Sequence, residues 1–305
     1  MRDLVAALPP RAVGIGLFLL SGILFSMMQG FARIASADMH PFEVAFFRSL
    51  FGLAMLAPML FRAGIGSLRT QKFHLHAGRA FFQMMALVCG FTAVAITPLA
   101  TVAALGFAAP LFATLGAILL MGERAGMRRW GALAIGFAGT LIVLRPGAAE
   151  IGTGPLVALL AAASWASTML FIKAMGKTES SVTQVAYMGL MVTPMTLALA
   201  VFFWTWPDWD TLLVIAGLGF CGTAGHLAFA QAMKSAETSA LMPLDFLRLI
   251  WISIIGFVLF QEVPDLWAWI GGAVIFVSAT YVTLREARLR DTADKKNGAQ
   301  EQETS

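Results

Sequence analysis

A charged side chain inside an apolar run costs roughly 2.5–3.5 kcal/mol on insertion scales, so it faces protein or water rather than lipid. Residues of that kind are where chemistry in this chain would reside. Arg48 stands seven residues into the apolar run Pro41–Phe61. Its guanidinium can attract an anionic group of a ligand, or it can be held by carbonyl groups or Glu43 and merely tie helices together. Asp245 and Arg248 are three apart, a spacing that puts both on one helix face and allows an ion pair. Pro243, just before them, removes a helical hydrogen bond and can open a kink that leaves backbone groups beside a cavity. Such a pair suits a zwitterionic or amide-rich ligand, with Asp245 also placed to accept a coupling proton; a structural salt bridge is the competing reading.

Gln29, Gln83 and Gln231 can offer amide contacts to a ligand or to a neighbouring helix. His226 titrates in a range that allows a proton relay, and it can equally bond a neighbouring helix. Phe25, Phe107, Phe112, Trp165, Phe246 and Trp251 give walls on which a planar ligand would stack, or else ordinary packing and lipid contact. Glu123 and Glu262 lie in short segments between apolar runs, where a carboxylate caps or ties helix ends.

Other chemistry is missing. Gly176-Lys177-Thr178 ends like a phosphate-binding loop, but Phe171 stands where that motif requires glycine. His74-x-His76 has no acidic or Cys residue nearby in the chain, and H-E-x-x-H is absent. Cys89 and Cys221 both sit in apolar runs, so neither a disulfide framework nor a C-x-x-C metal site is available. A membrane enzyme acting on a lipid-linked substrate is the alternative function, and it calls for clustered His, Asp or Ser near one face, which this chain does not display. A channel would show polar rings along several spans rather than isolated charges. The reading is therefore a non-enzyme that needs no cofactor or metal.

The elements that must position these residues are transmembrane helices. Of 305 residues, 59% are apolar and 12% charged, against about 25% charge in soluble domains. Mean hydropathy is +0.79. Apolar runs near the ~20 residues needed to cross a bilayer recur at Ala12–Ile34, Pro41–Phe61, Leu75–Ile96, Pro98–Met121, Trp130–Leu144, Gly154–Ala174, Ser181–Phe203, Trp209–Met233, Ser239–Phe260 and Leu266–Leu284. They do not alternate as barrel strands would. The first is longer than a secretory signal core, so it counts as a span. A net charge of +4 reflects orientation rather than nucleic-acid binding. Most of the 21 Lys and Arg fall in alternate loops and in the tail, and the positive-inside rule then puts both termini in the cytoplasm, with the chain in the inner membrane. The polar stretch 286–305 reads as a disordered cytoplasmic tail.

Compared with itself at an offset of about 140 residues, the chain matches in order from first span to fifth. Gly14, Leu19, Leu20, Phe31 and Arg33 fall on Gly154, Leu159, Leu160, Phe171 and Lys173; Gly78, Phe107, Glu123 and Trp130 fall on Gly217, Phe246, Glu262 and Trp269. The expectation is an all-α polytopic membrane protein of ten transmembrane helices, built as repeats at 12–146 and 154–285. Because each unit has five spans, the second must enter the bilayer from the opposite face, which is the construction of many secondary transporters.

The stretch Ala109-Pro110-Leu111-Phe112, Gly122-Glu123, Trp130, Gly136-Phe137, Gly139 and Leu144-Arg145-Pro146-Gly147 resembles the EamA-type drug/metabolite transporter superfamily. Phe260-Gln261-Glu262, Trp269 and Gly271-Gly272 resemble the same region in the second copy, with Gln261 departing from the common Gly-Glu pair. The resemblance implies cytoplasmic termini and carriage of a small molecule without nucleotide hydrolysis. Members handle amino acids, nucleosides, vitamins such as riboflavin, S-adenosylmethionine and toxic compounds. Lipid bilayer and a small-molecule substrate are the implied partners; import, export and homodimer formation stay open.

Overall fold

A computed structural model describes residues 10–63, 70, 72–121, 126–146, 152–175, 179, 181–235 and 241–303. Eleven α-helices account for most of them: α1 Pro10–Asp38, α2 Pro41–Ala63, α3 Phe73–Ile96, α4 Leu99–Gly106, α5 Ala109–Met121, α6 Met127–Leu144, α7 Thr153–Met175, α8 Ser181–Ala200, α9 Trp209–Ser235, α10 Leu247–Phe260 and α11 Leu266–Glu303. In lipid every backbone polar group must be satisfied within the segment, so apolar runs of this length become helices. Among the described residues nine spans are long and apolar enough to cross a membrane, with α4 and α5 together forming one of them. The tenth is the 3₁₀ turn Met242–Phe246 continued by α10. The chain is a multi-pass, all-helical membrane protein.

Two spans expected to be continuous are broken. The run Pro98–Met121 divides at Phe107-Ala108, where Phe107 and Ala108 bond three residues back, to Ala104 and Leu105. The cause is Pro110, which cannot donate to Gly106 and crowds that carbonyl. In the second copy the break falls between Phe246 and Leu247, the place equivalent to Phe107-Ala108, and here Pro243 precedes it. Around Pro243 the backbone is 3₁₀ rather than α-helical, over Met242–Phe246; the break before Pro110 was readable by the same proline rule. Helix α11 is described as far as Glu303.

The inversion is visible in the packing. α1 packs on α9, and with the halves exchanged α3 packs on α7; α2 on α9 is matched by α8 on α3, and α1 on α10 by α7 on α5. The pairs α2–α8 and α6–α11 join each helix to its own counterpart. Individual contacts obey the same rule. A Cβ on Gly78 would lie 2.7 Å from the Phe171 ring, and one on the equivalent Gly217 would lie 3.3 Å from Phe31, the equivalent of Phe171. Between α6 and α11, the backbone at Gly139 approaches Gly271, and the equivalent pair is the Ser278 hydroxyl donating to the Ala132 carbonyl. Small residues let helix backbones close in lipid, where no hydrophobic effect drives them together.

Each membrane face carries a carboxylate tie between the halves. Glu43, at the start of α2, accepts the Thr205 backbone N–H at 2.6 Å and its hydroxyl at 3.1 Å. Glu179, just before α8, accepts the Thr70 hydroxyl at 2.8 Å. These name the Glu43 face and the Glu179 face.

The Glu43 face has a further closure. Arg33 on α1 pairs with Glu262 at 3.1 Å and donates to the Thr97 carbonyl at 3.1 Å and to that of Val94. Glu262 also accepts the Leu99 N–H at 2.8 Å, which caps α4. Glu262 thus ties helix ends as expected; Glu123 lies outside the described residues. Arg145 pairs with Asp265 across α6 and α11.

Glu262 owes its position to an αL turn. Gln261 takes φ 55°, its N–H reaching Phe257 O while Glu262 N–H reaches Gly256 O. This is the helix ending for which glycine is favoured. Gln261→Gly should therefore raise the melting temperature in detergent, by about 1 kcal/mol of stability, with the Arg33–Glu262 pair retained. A fall in melting temperature would contradict this account of the turn.

Candidate functional site

Arg48 lies roughly 10 Å into α2 from the Glu43 face. It is 6% exposed, its Nε is buried without a partner, and its guanidinium forms no ion pair with any described residue. The expected partnership with Glu43 does not form. Five helical residues place the two side chains roughly 140° apart around α2, and Glu43 is taken up by Thr205 and the His40 N–H. Room for Arg48 comes from Gly222 on α9, where a Cβ would stand 3.2 Å from Nε and 3.0 Å from the sulfur of Met28.

One turn further along α9, His226 meets Phe25 edge-on at 5.0 Å and Trp165 at 6.2 Å. Phe25 and Trp165 are repeat equivalents, so α1 and α7 bring matching aromatic side chains to His226 from the two halves. Gly225 admits Phe25, a Cβ there falling 2.9 Å from the ring. Gln29, one turn from Phe25 on the same face of α1, keeps a buried Oε1 with no partner. Gln83 on α3 is 4% exposed and has no hydrogen-bond partner among the described residues. Gln231 is exposed and stands apart from this group.

The structure adds a second arginine, one that lies within the expected run Leu75–Ile96 but was not singled out there. Arg79 is 6% exposed inside α3, donates to the Gln184 carbonyl at 2.9 Å, and has a buried Nε with no partner. His226 lies within electrostatic range of both Arg48 and Arg79. The signal that could have found Arg79 was its place four residues into that run, and the helix, starting at Phe73, sets it deeper still. His76, without an acid nearby in the chain, receives Glu179 from the segment before α8, with Nε2 and Oε2 3.6 Å apart.

Asp245 and Arg248 form their pair at 3.9 Å. The cavity beside them, against Phe18, Leu19 and Gly22 of α1, measures about 10 Å³, space for about one water. Arg248 stands over the Phe107 ring at 5.4 Å. Phe246 is packed among Phe107, Phe276 and Trp269 at 5.1–6.3 Å. These rings fill the crossing of the two broken spans. A larger cavity of about 310 Å³ opens at the Glu43 face, lined by Phe47, Trp206, Pro207, Asp208, Trp209 and Leu212. There the Thr211 side chain and N–H hold the Asp208 carboxyl below the usual range, and Asp208 caps α9. Among the described residues no three of His, Cys, Asp and Glu gather as metal donors.

Inverted repeats, two discontinuous spans meeting near mid-bundle and unpaired polar side chains between the halves define a secondary-transporter architecture. The EamA-like transporter family matches the chain twice, over residues 12–145 and 152–284, and the chain belongs to that family. A riboflavin transporter of Vibrio cholerae is 32% identical, covering 88% of this chain and 92% of its own. An S-adenosylmethionine uptake transporter of Rickettsia felis is 30% identical, covering 90% and 93%. One solved structure superposes with a TM-score of 0.62 at 18% identity, covering 91% of this chain and 99% of its own, which shows the shared fold.

An unpaired buried charge weakens a protein, so replacing it with an apolar side chain of similar length should stabilise. Arg48→Met is expected to raise the melting temperature in detergent, by on the order of 1 kcal/mol or more, while transport is lost. Loss of stability would instead make Arg48 a structural tie.

Proposed function

We propose that this protein is a secondary transporter whose substrate binds between the halves at Arg48, Gln29, Gln83, Phe25, Trp165 and His226, and that it takes a planar, acceptor-rich molecule, neutral or anionic, of the riboflavin kind. The observation that carries this reading is Arg48, a buried guanidinium left without a counter-ion. A donor held in a low-dielectric site costs stability unless a ligand supplies the acceptor. Carboxylates that could balance a cationic substrate are engaged elsewhere: Glu43 with Thr205, Glu179 with Thr70, Asp245 with Arg248. A sulfonium substrate such as S-adenosylmethionine would add positive charge to a site already positive. The isoalloxazine of riboflavin offers carbonyl acceptors to arginine and amide donors, and a flat face to Phe25 and Trp165.

Asp245 and Arg248 act, in this reading, at the crossing of the broken spans rather than on the substrate, since their cavity admits about one water. His226 lies where a proton relay would be needed, beside Arg48. Alternating access follows from rocking one repeat against the other. Positive-inside bias makes the Glu179 face cytoplasmic, together with both termini, in the inner membrane.

Proteoliposomes offered riboflavin, S-adenosylmethionine, amino acids and nucleosides separate the classes. Riboflavin uptake is expected to exceed S-adenosylmethionine uptake, and Arg48→Ala should cut it roughly tenfold or more, the value of a lost charged hydrogen bond. Arg248→Ala should lower it less. Preference for the sulfonium, or full uptake by Arg48→Ala, would remove the proposed site.

A further inference from the structure

Resting on that reading of the central site, we infer that Arg79 is a second binding station for the same acceptor-rich part of the substrate, on the cytoplasmic side of the bundle, at the helix interface that is the repeat counterpart of the one holding Arg48. The two arginines occupy equivalent corners. Arg48 extends from α2 to α9 at Gly222, and Arg79 extends from α3 to α8 at Gln184. Exchange of the halves turns the α2–α9 interface into the α8–α3 interface. Their depths mirror each other too. Arg48 lies roughly 10 Å from the Glu43 face, and Arg79, six residues into α3, lies roughly 9 Å from the Glu179 face.

Between them runs a series of polar groups with no protein partner. Gln83 stands one turn from Arg79 toward the bundle centre, and on α9 its repeat equivalent is Gly222, the residue that admits Arg48. His226 lies within electrostatic range of both arginines. Arg79 Nη1 donates to the Gln184 carbonyl and, at 3.5 Å, to the Gln184 Oε1, and Nη2 lies 3.8 Å from the Met188 sulfur, while Nε has no partner. Glu179, the carboxylate on that face, is held by Thr70 and stands beside His76. A guanidinium with spare donors toward each face suits a substrate that leaves one as it reaches the other. In a transporter built of inverted copies, each access side then has its own arginine.

Radiolabelled riboflavin, without an imposed gradient, is presented to right-side-out and inside-out membrane vesicles holding the full chain. Arg79→Gln is expected to raise KM roughly tenfold or more in inside-out vesicles and less than about twofold in right-side-out ones. Arg48→Gln, which alters the central site itself, should raise KM from both sides. A merely structural Arg79 would change the amount of folded protein, or both KM values together. Unchanged KM from both sides, or an equal rise from both, overturns the second station. If Arg79→Gln does not reach the membrane, Arg79→Lys keeps the charge but loses the planar fork, and the same one-sided rise is required of it. Wild-type vesicles that carry no riboflavin would instead refute the substrate reading, a result distinct from any outcome for Arg79.

Discussion

Tandem copying of an odd-numbered helical unit in a bilayer forces the copies to face opposite sides, and the rest of the structure depends on that constraint. Any favourable contact between the halves is then available twice, once near each face. Gly78 with Phe171 and Gly217 with Phe31 are one such doublet; Glu43 with Thr205 and Glu179 with Thr70 are another. Because lipid gives no hydrophobic drive for helix association, these close approaches and hydrogen bonds hold the bundle together. They also give it two related arrangements to exchange, the physical basis of alternating access.

The centre differs from these ties in one respect: its polar groups are not satisfied. Arg48, Gln29 and Gln83 could have been apolar at lower cost, and their retention leaves a buried donor, Arg48 Nε, and a buried acceptor, Gln29 Oε1, without protein partners. Phe25 and Trp165 approach the same His226 from the two halves, so this region is aromatic as well as positive. By contrast the Asp245–Arg248 pair and the rings around Phe246 are close-packed. They occupy the crossing of the broken spans, where 3₁₀ geometry and proline have already released the helical ladder.

Departures from pattern at the Glu43 face have a structural result. Gln261 accepts an αL conformation that glycine would adopt more readily, and that turn delivers Glu262 to Arg33 and to the first N–H of α4. One carboxylate thereby joins α1, α4 and the end of α10, with Arg33 reaching on to α3. In the conformation described, this face is drawn together by Arg33–Glu262 and Arg145–Asp265.

The sequence by itself determined the spans, the duplication, the inversion and the irregular backbone near Pro243, because hydropathy, repeat spacing and proline chemistry are local properties of the chain. It also picked out Arg48, Gln29, Gln83, Trp165 and His226 singly, since an ionisable or amide group in an apolar run is conspicuous wherever it lies. Which of these belong together was decided only by tertiary structure. Arg48 and Glu43 are neighbours in the chain but lie on different helix faces, whereas Arg48 and Gly222 come together from different repeats. Arg79 and Glu179 gained their roles in the same way, from partners far along the chain. A pairing across an inverted interface depends on helix rotation and close approach, which no one-dimensional pattern records.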